Sequence, residues 1–213
     1  MISISHNWLF IHISRTGGNS IQSVLARYSE DRLTSGDLQD GIDRFGVQGP
    51  YTRNKHFRLQ DYADAVPPEI FSKLFKFTVV RNPWARAISW FFMPLKWISM
   101  GRQPHWSADE FQRDIGHMPS MAPMLEVNGV PGQLDMLLRF ETLETDFAAL
   151  TARLGITSEA ALPHRNRKLA YLLLGIARSG GSCRRTFCER HSYVRLRCGF
   201  GVSRWYLTCS HTA

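Results

Sequence analysis

Cysteine is missing from most of this chain. All four cysteines (Cys183, Cys188, Cys198, Cys209) fall in the last 31 of 213 residues, at separations of 5, 10 and 11. No C-x-x-C occurs, so neither a zinc site nor a secreted disulfide framework is expected, and no metal is assigned. No run of about 18 apolar residues exists, which argues against a spanning helix or stable membrane insertion. Met1 to Ile13 has no basic stretch ahead of its apolar residues. It reads as a first strand and not a signal peptide, and a cytoplasmic location is expected. Acidic residues are scarce only near the end. Residues 1–177 carry nineteen Lys and Arg against seventeen Asp and Glu, whereas 178–213 carry seven Arg against the single acid Glu189. The net charge of +8 therefore belongs mostly to the tail, and no nucleic-acid partner is expected.

What is present is a pattern of strands alternating with helices. Trp8 to Ile13 is apolar and β-rich, and a glycine pair follows, predicting a strand, a tight loop and a helix from about Gly18 to Tyr28. Residues 29–55 are polar and read as loop with little regular structure. Pro67-Pro68-Glu69 opens a short helix to about Leu74, and Phe75 to Val80 is a second buried strand. Asn82-Pro83 starts an aromatic helix through about Trp97, and a short helix is expected near Ala108–Ile115. Met136 to Phe140 reads as a third strand and Leu143 to Leu154 as a helix stopped by Gly155. The alternation predicts an α/β fold with a mainly parallel sheet flanked by helices. One domain is expected over 1–168, with an aberrant segment over 169–213.

Three places in this framework carry chemistry. His12-Ile13-Ser14-Arg15-Thr16-Gly17-Gly18-Asn19-Ser20-Ile21 places a glycine loop between a strand and a helix. Backbone N–H groups at such a helix start bind anions, with Arg15 adding charge and Thr16 and Ser20 adding hydroxyls. It is not the Walker loop G-x-x-x-x-G-K-[ST], and the segment also fits a simple strand–turn–helix corner. Arg81 sits at the C-terminal end of a strand, with Ser89 eight residues on. The pair suits a phosphate monoester, although, taken alone, Arg81 pairing with an acid and Ser89 packing fits better. His56 lies in a polar loop, where an imidazole is usually only solvated. If the loop returns to the anion site, it is a candidate base.

Together these segments resemble the sulfotransferase family that includes Golgi carbohydrate sulfotransferases of heparan and chondroitin type and bacterial relatives. The opening resembles F-I-H-I-P-K-T-G-G-T-S-I, the family's 5′-phosphosulfate loop. FKFTVVRNPWARAISWFF resembles its 3′-phosphate motif, RFETLETDF (139–147) its R-[FY]-E-x-L-x-x-D-F, and Leu162-Pro163-His164-Arg165-Asn166 its L-P-H-x-N. With His56, these landmarks run in order over residues 8–166, roughly four-fifths of the chain. The resemblance implies a P-loop-like sulfotransferase fold. It also implies transfer of a sulfuryl group from 3′-phosphoadenosine-5′-phosphosulfate (PAPS) to a carbohydrate-type hydroxyl. Arg15 stands at the family's lysine on the 5′-phosphosulfate and leaving oxygen. Thr16, Gly17, Gly18, Asn19 and Ser20 fall on the 5′-phosphate wrap, Arg81 and Ser89 on the 3′-phosphate, and His56 on the general base. Ser14 replaces the family's proline. Arg15 in place of lysine exchanges a compact donor for a wide planar fork, so Arg15→Lys is expected to raise turnover. Residues 98–135 are expected to line the acceptor side, with Trp97 and Trp106 either stacking on a sugar or packing in the core.

The tail departs from the family's ending. Read one base later with permitted codons, Thr186–Arg197 gives R-F-A-S-D-I-R-T-F-G-Y, and Ala170–Gly175 permits P-T-Y-Y-L. The segment is therefore expected to be frameshifted near codons 166–170, or disordered, with a genuine divergent tail as the other reading. An inactive sulfotransferase remnant, or a module binding nucleotide or 3′-phosphoadenosine-5′-phosphate (PAP) without transfer, stays open as the alternative function.

Overall fold

The computed structural model describes residues 1–35, 45–156 and 162. These belong to the compact unit Met1–Arg167. The expected tail, and Pro163 to Asn166 of the L-P-H-x-N landmark, lie outside the described residues.

The elements run β1 (Ile2–Ser3), β2 (Trp8–Ile11), α1 (Gly18–Leu25), β3 (Arg32–Ser35), β4 (Phe45–Gln48), α2 (Leu59–Ala65), α3 (Pro68–Phe71), β5 (Phe75–Val80), α4 (Pro83–Phe91), α5 (Pro94–Ser99), α6 (Ala108–Ile115), β6 (Glu126–Val127), β7 (Val130–Pro131), β8 (Met136–Arg139) and α7 (Leu143–Arg153). The main sheet has the order β1-β2-β5-β8. β2, β5 and β8 are parallel, with Phe10 opposite Phe77 and Phe77 opposite Met136. β1 is antiparallel to β2.

β2 shows why a continuous apolar run makes a central strand. All four of its residues are fully buried. Side chains alternate between faces, so a strand covered on both sides has no polar register to show. Trp8 and Phe10 join Ile21, Leu25, Phe77, Val79, Leu138, Phe147 and Leu150 in one core. Leu9 and Ile11 join Leu59, Tyr62, Val66 and Leu74 in a second.

Three expectations need correction. The N-terminal stretch is two short strands, with Asn7 at φ 58° in the turn between them. The region read as loop contains the antiparallel pair β3–β4, with Leu33 opposite Val47, and α2 follows it. The aromatic helix ends at Phe91, and α5 starts separately at Pro94, because proline cannot donate the next helical hydrogen bond.

Candidate active site

The site gathers where the three parallel strands end. His12 follows β2, Arg81 follows β5, and Phe140 follows β8. C-terminal strand ends are the usual ligand edge of an open α/β sheet.

The glycine loop is shaped by close packing. Gly17, the N-cap of α1, has φ 95°, a conformation that glycine adopts without steric cost. A Cβ there would lie 2.8 Å from the Phe140 ring. A Cβ on Gly18 would lie 2.1 Å from Cδ2 and 2.3 Å from Nε2 of His12. Thr16 is fully buried, and its hydroxyl donates to the Ile13 carbonyl at 2.8 Å. That side chain shapes the loop from inside. Arg15 has φ 66°, an uncommon backbone state for a residue with a side chain.

The structure brings Arg15 and Ser89 together across 74 residues. Arg15 Nη2 and Nε donate to Ser89 Oγ at 2.9 and 3.2 Å. Arg81 Nη1 donates to the Arg15 carbonyl at 3.2 Å. The Arg81 guanidinium lies 4.0 Å over the Phe140 ring, and its Nε is buried without a hydrogen-bond partner among the described residues. Burial holds the Arg81 pKa below its ordinary value, with Glu141 opposing. Glu141 also accepts from Asn82 N–H at 2.7 Å. Asn82 Oδ1 caps α4 by accepting from the backbone N–H groups of Trp84 and Ala85 at 3.0 and 3.2 Å. Ser20 N–H donates to the Gly17 carbonyl at 3.0 Å in the first turn of α1.

The polar loop does return to this edge. His56 is half-buried, and its Nδ1 lies 2.9 Å from the His12 carbonyl. A carbonyl only accepts, so Nδ1 carries the proton and a neutral His56 has its lone pair on Nε2. The two imidazoles lie 4.8 Å apart. Burial lowers the His56 pKa, the bond to His12 opposes this, and Lys55 and Arg86 lower it further. The His12 pKa lies well below 6.5, chiefly because the ring is buried, and His56 and Lys55 add to the fall. Lys55 Nζ donates to Asn19 Oδ1 at 3.2 Å, tying this loop to the first turn of α1.

Beside His56 opens a cleft of about 510 Å³, walled by Tyr51, Arg53, Asn54, Phe57 and the carboxylates Asp61 and Asp64. Trp97 does not serve such a cleft. It is buried in the core, with Nε1 donating to the Phe91 carbonyl at 3.0 Å. Trp106 packs against Phe91 and Phe111.

Two residues escaped the sequence reading. Buried Arg86 sits in the quoted R-N-P-W-A-R string but attracted no role. His12 was quoted as the start of the loop, and only its place after a fully buried strand could have marked it. Among the described residues no cluster of His, Cys, Asp and Glu suited to a metal ion occurs. No described helix is long and apolar enough to cross a membrane.

The sulfotransferase family model matches residues 1–189. The chain belongs to the sulfotransferase family. No curated protein and no solved structure is significantly similar to it. Members of the sulfotransferase family generally use PAPS, an anionic sulfuryl donor.

Proposed function

We propose that this sulfotransferase moves the sulfuryl group of PAPS to a hydroxyl of a carbohydrate-type acceptor. The observation that carries the reading is the meeting of Arg15, Arg81 and Ser89 at the N-terminus of α1. A donor with phosphates at both ends of its ribose needs two anion sites held close together. The fit is supported by Arg81 Nε, a buried donor with no partner among the described residues, and by a loop whose glycines leave no room for side chains.

In this reading the N–H groups of Thr16 to Asn19, the Ser20 hydroxyl and the start of α1 hold the 5′-phosphate, with Asn19 placed by Lys55. Arg15 neutralises the leaving oxygen, and Arg81 and Ser89 hold the 3′-phosphate. The acceptor enters by the cleft beside His56. The acceptor oxygen forms a bond to sulfur as the bond from sulfur to the 5′-phosphate oxygen breaks. The hydroxyl proton passes to Nε2 of His56. In-line positioning and charge neutralisation supply the acceleration, as in phosphoryl transfer.

PAP at one hundred times its Kd should stabilise the chain by about 2.7 kcal/mol. ATP at the same concentration should do far less, and labelled sulfate should pass from PAPS to a sugar acceptor. Equal stabilisation by ATP would refute the PAPS reading. PAP binding without label transfer would leave a binding module.

A further inference from the structure

Arg86 is 2% exposed, yet a guanidinium is seldom buried without an acid beside it. Its partners are neutral. Nε donates to the Ser14 carbonyl at 2.9 Å, Nη2 to Ser14 Oγ at 3.3 Å, and Nη1 to the Pro119 carbonyl at 2.8 Å. Burial brings its pKa down to about 10, so the group stays charged at neutral pH.

The Ser14 carbonyl belongs to the peptide joining Ser14 to Arg15. Fixing that carbonyl fixes the peptide plane ahead of Arg15, the loop residue with φ 66°. A left-handed state of a residue with a side chain persists only when its surroundings enforce it. A proline at position 14 would lock its own φ at about −65°. Serine supplies no such lock, but its hydroxyl supplies Arg86 with a second acceptor.

We propose that Arg86 is a positioning residue. It holds the Ser14–Arg15 peptide, and with it the left-handed Arg15, in the geometry of the anion loop. It joins that loop to the segment after α6 through Pro119. The loop-holding role stands on the geometry alone, and only its consequence for PAP rests on the function proposed above.

The test uses the full chain with Arg86→Met, Arg86→Lys, Ser14→Ala and the Arg86→Met/Ser14→Ala double variant. Hydrogen exchange of the amides of residues 14–20 is measured without ligand, and PAP affinity by titration. Arg86→Met should speed loop exchange and weaken PAP by about tenfold or more, as expected for hydrogen bonds from a charged donor. Ser14→Ala should weaken PAP about threefold in the parent and hardly at all beside Arg86→Met, because both remove one contact. Exchange and affinity within twofold of the parent in a folded Arg86→Met protein would overturn the proposal, as would equal Ser14→Ala effects in both backgrounds. If Arg86→Met does not fold, Arg86→Lys decides. It keeps the charge but loses the fork, so loop exchange should still accelerate, and unchanged exchange overturns the role. Failure of the parent to bind PAP counts against the sulfotransfer reading, and the exchange measurement still judges Arg86.

Discussion

Gly18→Ala adds one methyl group where the structure has no space for it. The new Cβ would sit 2.1 Å from the His12 ring, so the ring must retreat by more than about 1 Å to reach ordinary contact. Retreat is obstructed. His12 is 3% exposed, stacked at 5.7 Å on Phe10 and set 4.8 Å from His56. Overpacking of this kind costs about 1–3 kcal/mol. Reduced freedom of the unfolded chain returns about 0.4–1 kcal/mol. The mid-values, about 2 and about 0.7 kcal/mol, leave a net loss of about 1.3 kcal/mol, which corresponds to a Tm fall of about 3–5 °C for a domain of this size. Displacement of His12 also shifts His56, and misplacement by about 1 Å costs turnover about a hundredfold. Thermal unfolding and label transfer are measured on Gly18→Ala, His12→Ala and the double variant. Removing the ring should relieve most of the Gly18→Ala destabilisation. A Gly18→Ala protein that melts within about 1 °C of the parent and turns over normally would refute the steric reasoning.

His56 must be neutral to accept a proton, and its folded pKa lies below 6.5. Turnover should therefore hold at neutral pH and fall as pH drops through that lowered value. Lys55→Met removes one of the charges holding it down, so the acid limb should move toward 6.5; a limb that does not move denies Lys55 this role. His12 and His56 both have folded pKa values below 6.5, so the unfolded chain binds more protons below that pH and the Tm should fall there, a trend His12→Phe should weaken. Arg15→Lys should raise turnover, because lysine cannot reproduce the two-nitrogen grip on Ser89 and leaves a compact donor for the leaving oxygen; no gain in a folded protein would count against this. Millimolar sulfate should raise the Tm more than chloride at equal ionic strength, and equal effects would argue against a built anion site.

The sequence announced what depends on local pattern. β5 and α6 fall on their expected bounds because a buried strand reads as an apolar run, and Ser107 caps α6, accepting from Glu110 N–H at 3.3 Å. Of the residues proposed for the anion site, Arg15 to Ser20 are contiguous, Arg81 follows β5 and Ser89 lies about two turns along α4, so their order along the chain suggested them. What stayed hidden depends on distant partners. β3 and β4 pair across a polar stretch with little alternation of its own. α2 is barely two turns long, and its start rests on Arg58 and Asp61 rather than on a small hydroxyl cap. Pairing of Arg15 with Ser89 joins two stretches 74 residues apart, and no spacing rule encodes it. Nothing local in the sequence marks Arg86 as buried, because arginine is mostly exposed.

The cations of this edge form a sequence of holds. Arg86 grips Ser14, Arg81 grips the Arg15 carbonyl, and Arg15 reaches Ser89 on the helix that carries Arg86. Each guanidinium contributes to the shape of the loop as well as to its field, and neutral carbonyl or hydroxyl oxygens are their partners in these bonds. Glu141, the acid opposing the depressed pKa of Arg81, is also engaged by the Asn82 backbone. Like charges drawn together in a partly dry site repel one another. The packing of the loop and of the strand ends must overcome that repulsion in the free protein. On the proposed reading, an arriving dianion relieves it. Preorganisation of this kind is what sulfuryl transfer needs, because charge must be met where it develops and not after the donor has moved. Gly17 and Gly18 cannot be enlarged because Phe140 and His12 fill the space beside them, and burial keeps the His12 ring neutral. A charged His12 would add to the repulsion and, like Lys55 and Arg86, would lower the His56 pKa further, leaving it a weaker base in the proposed reaction.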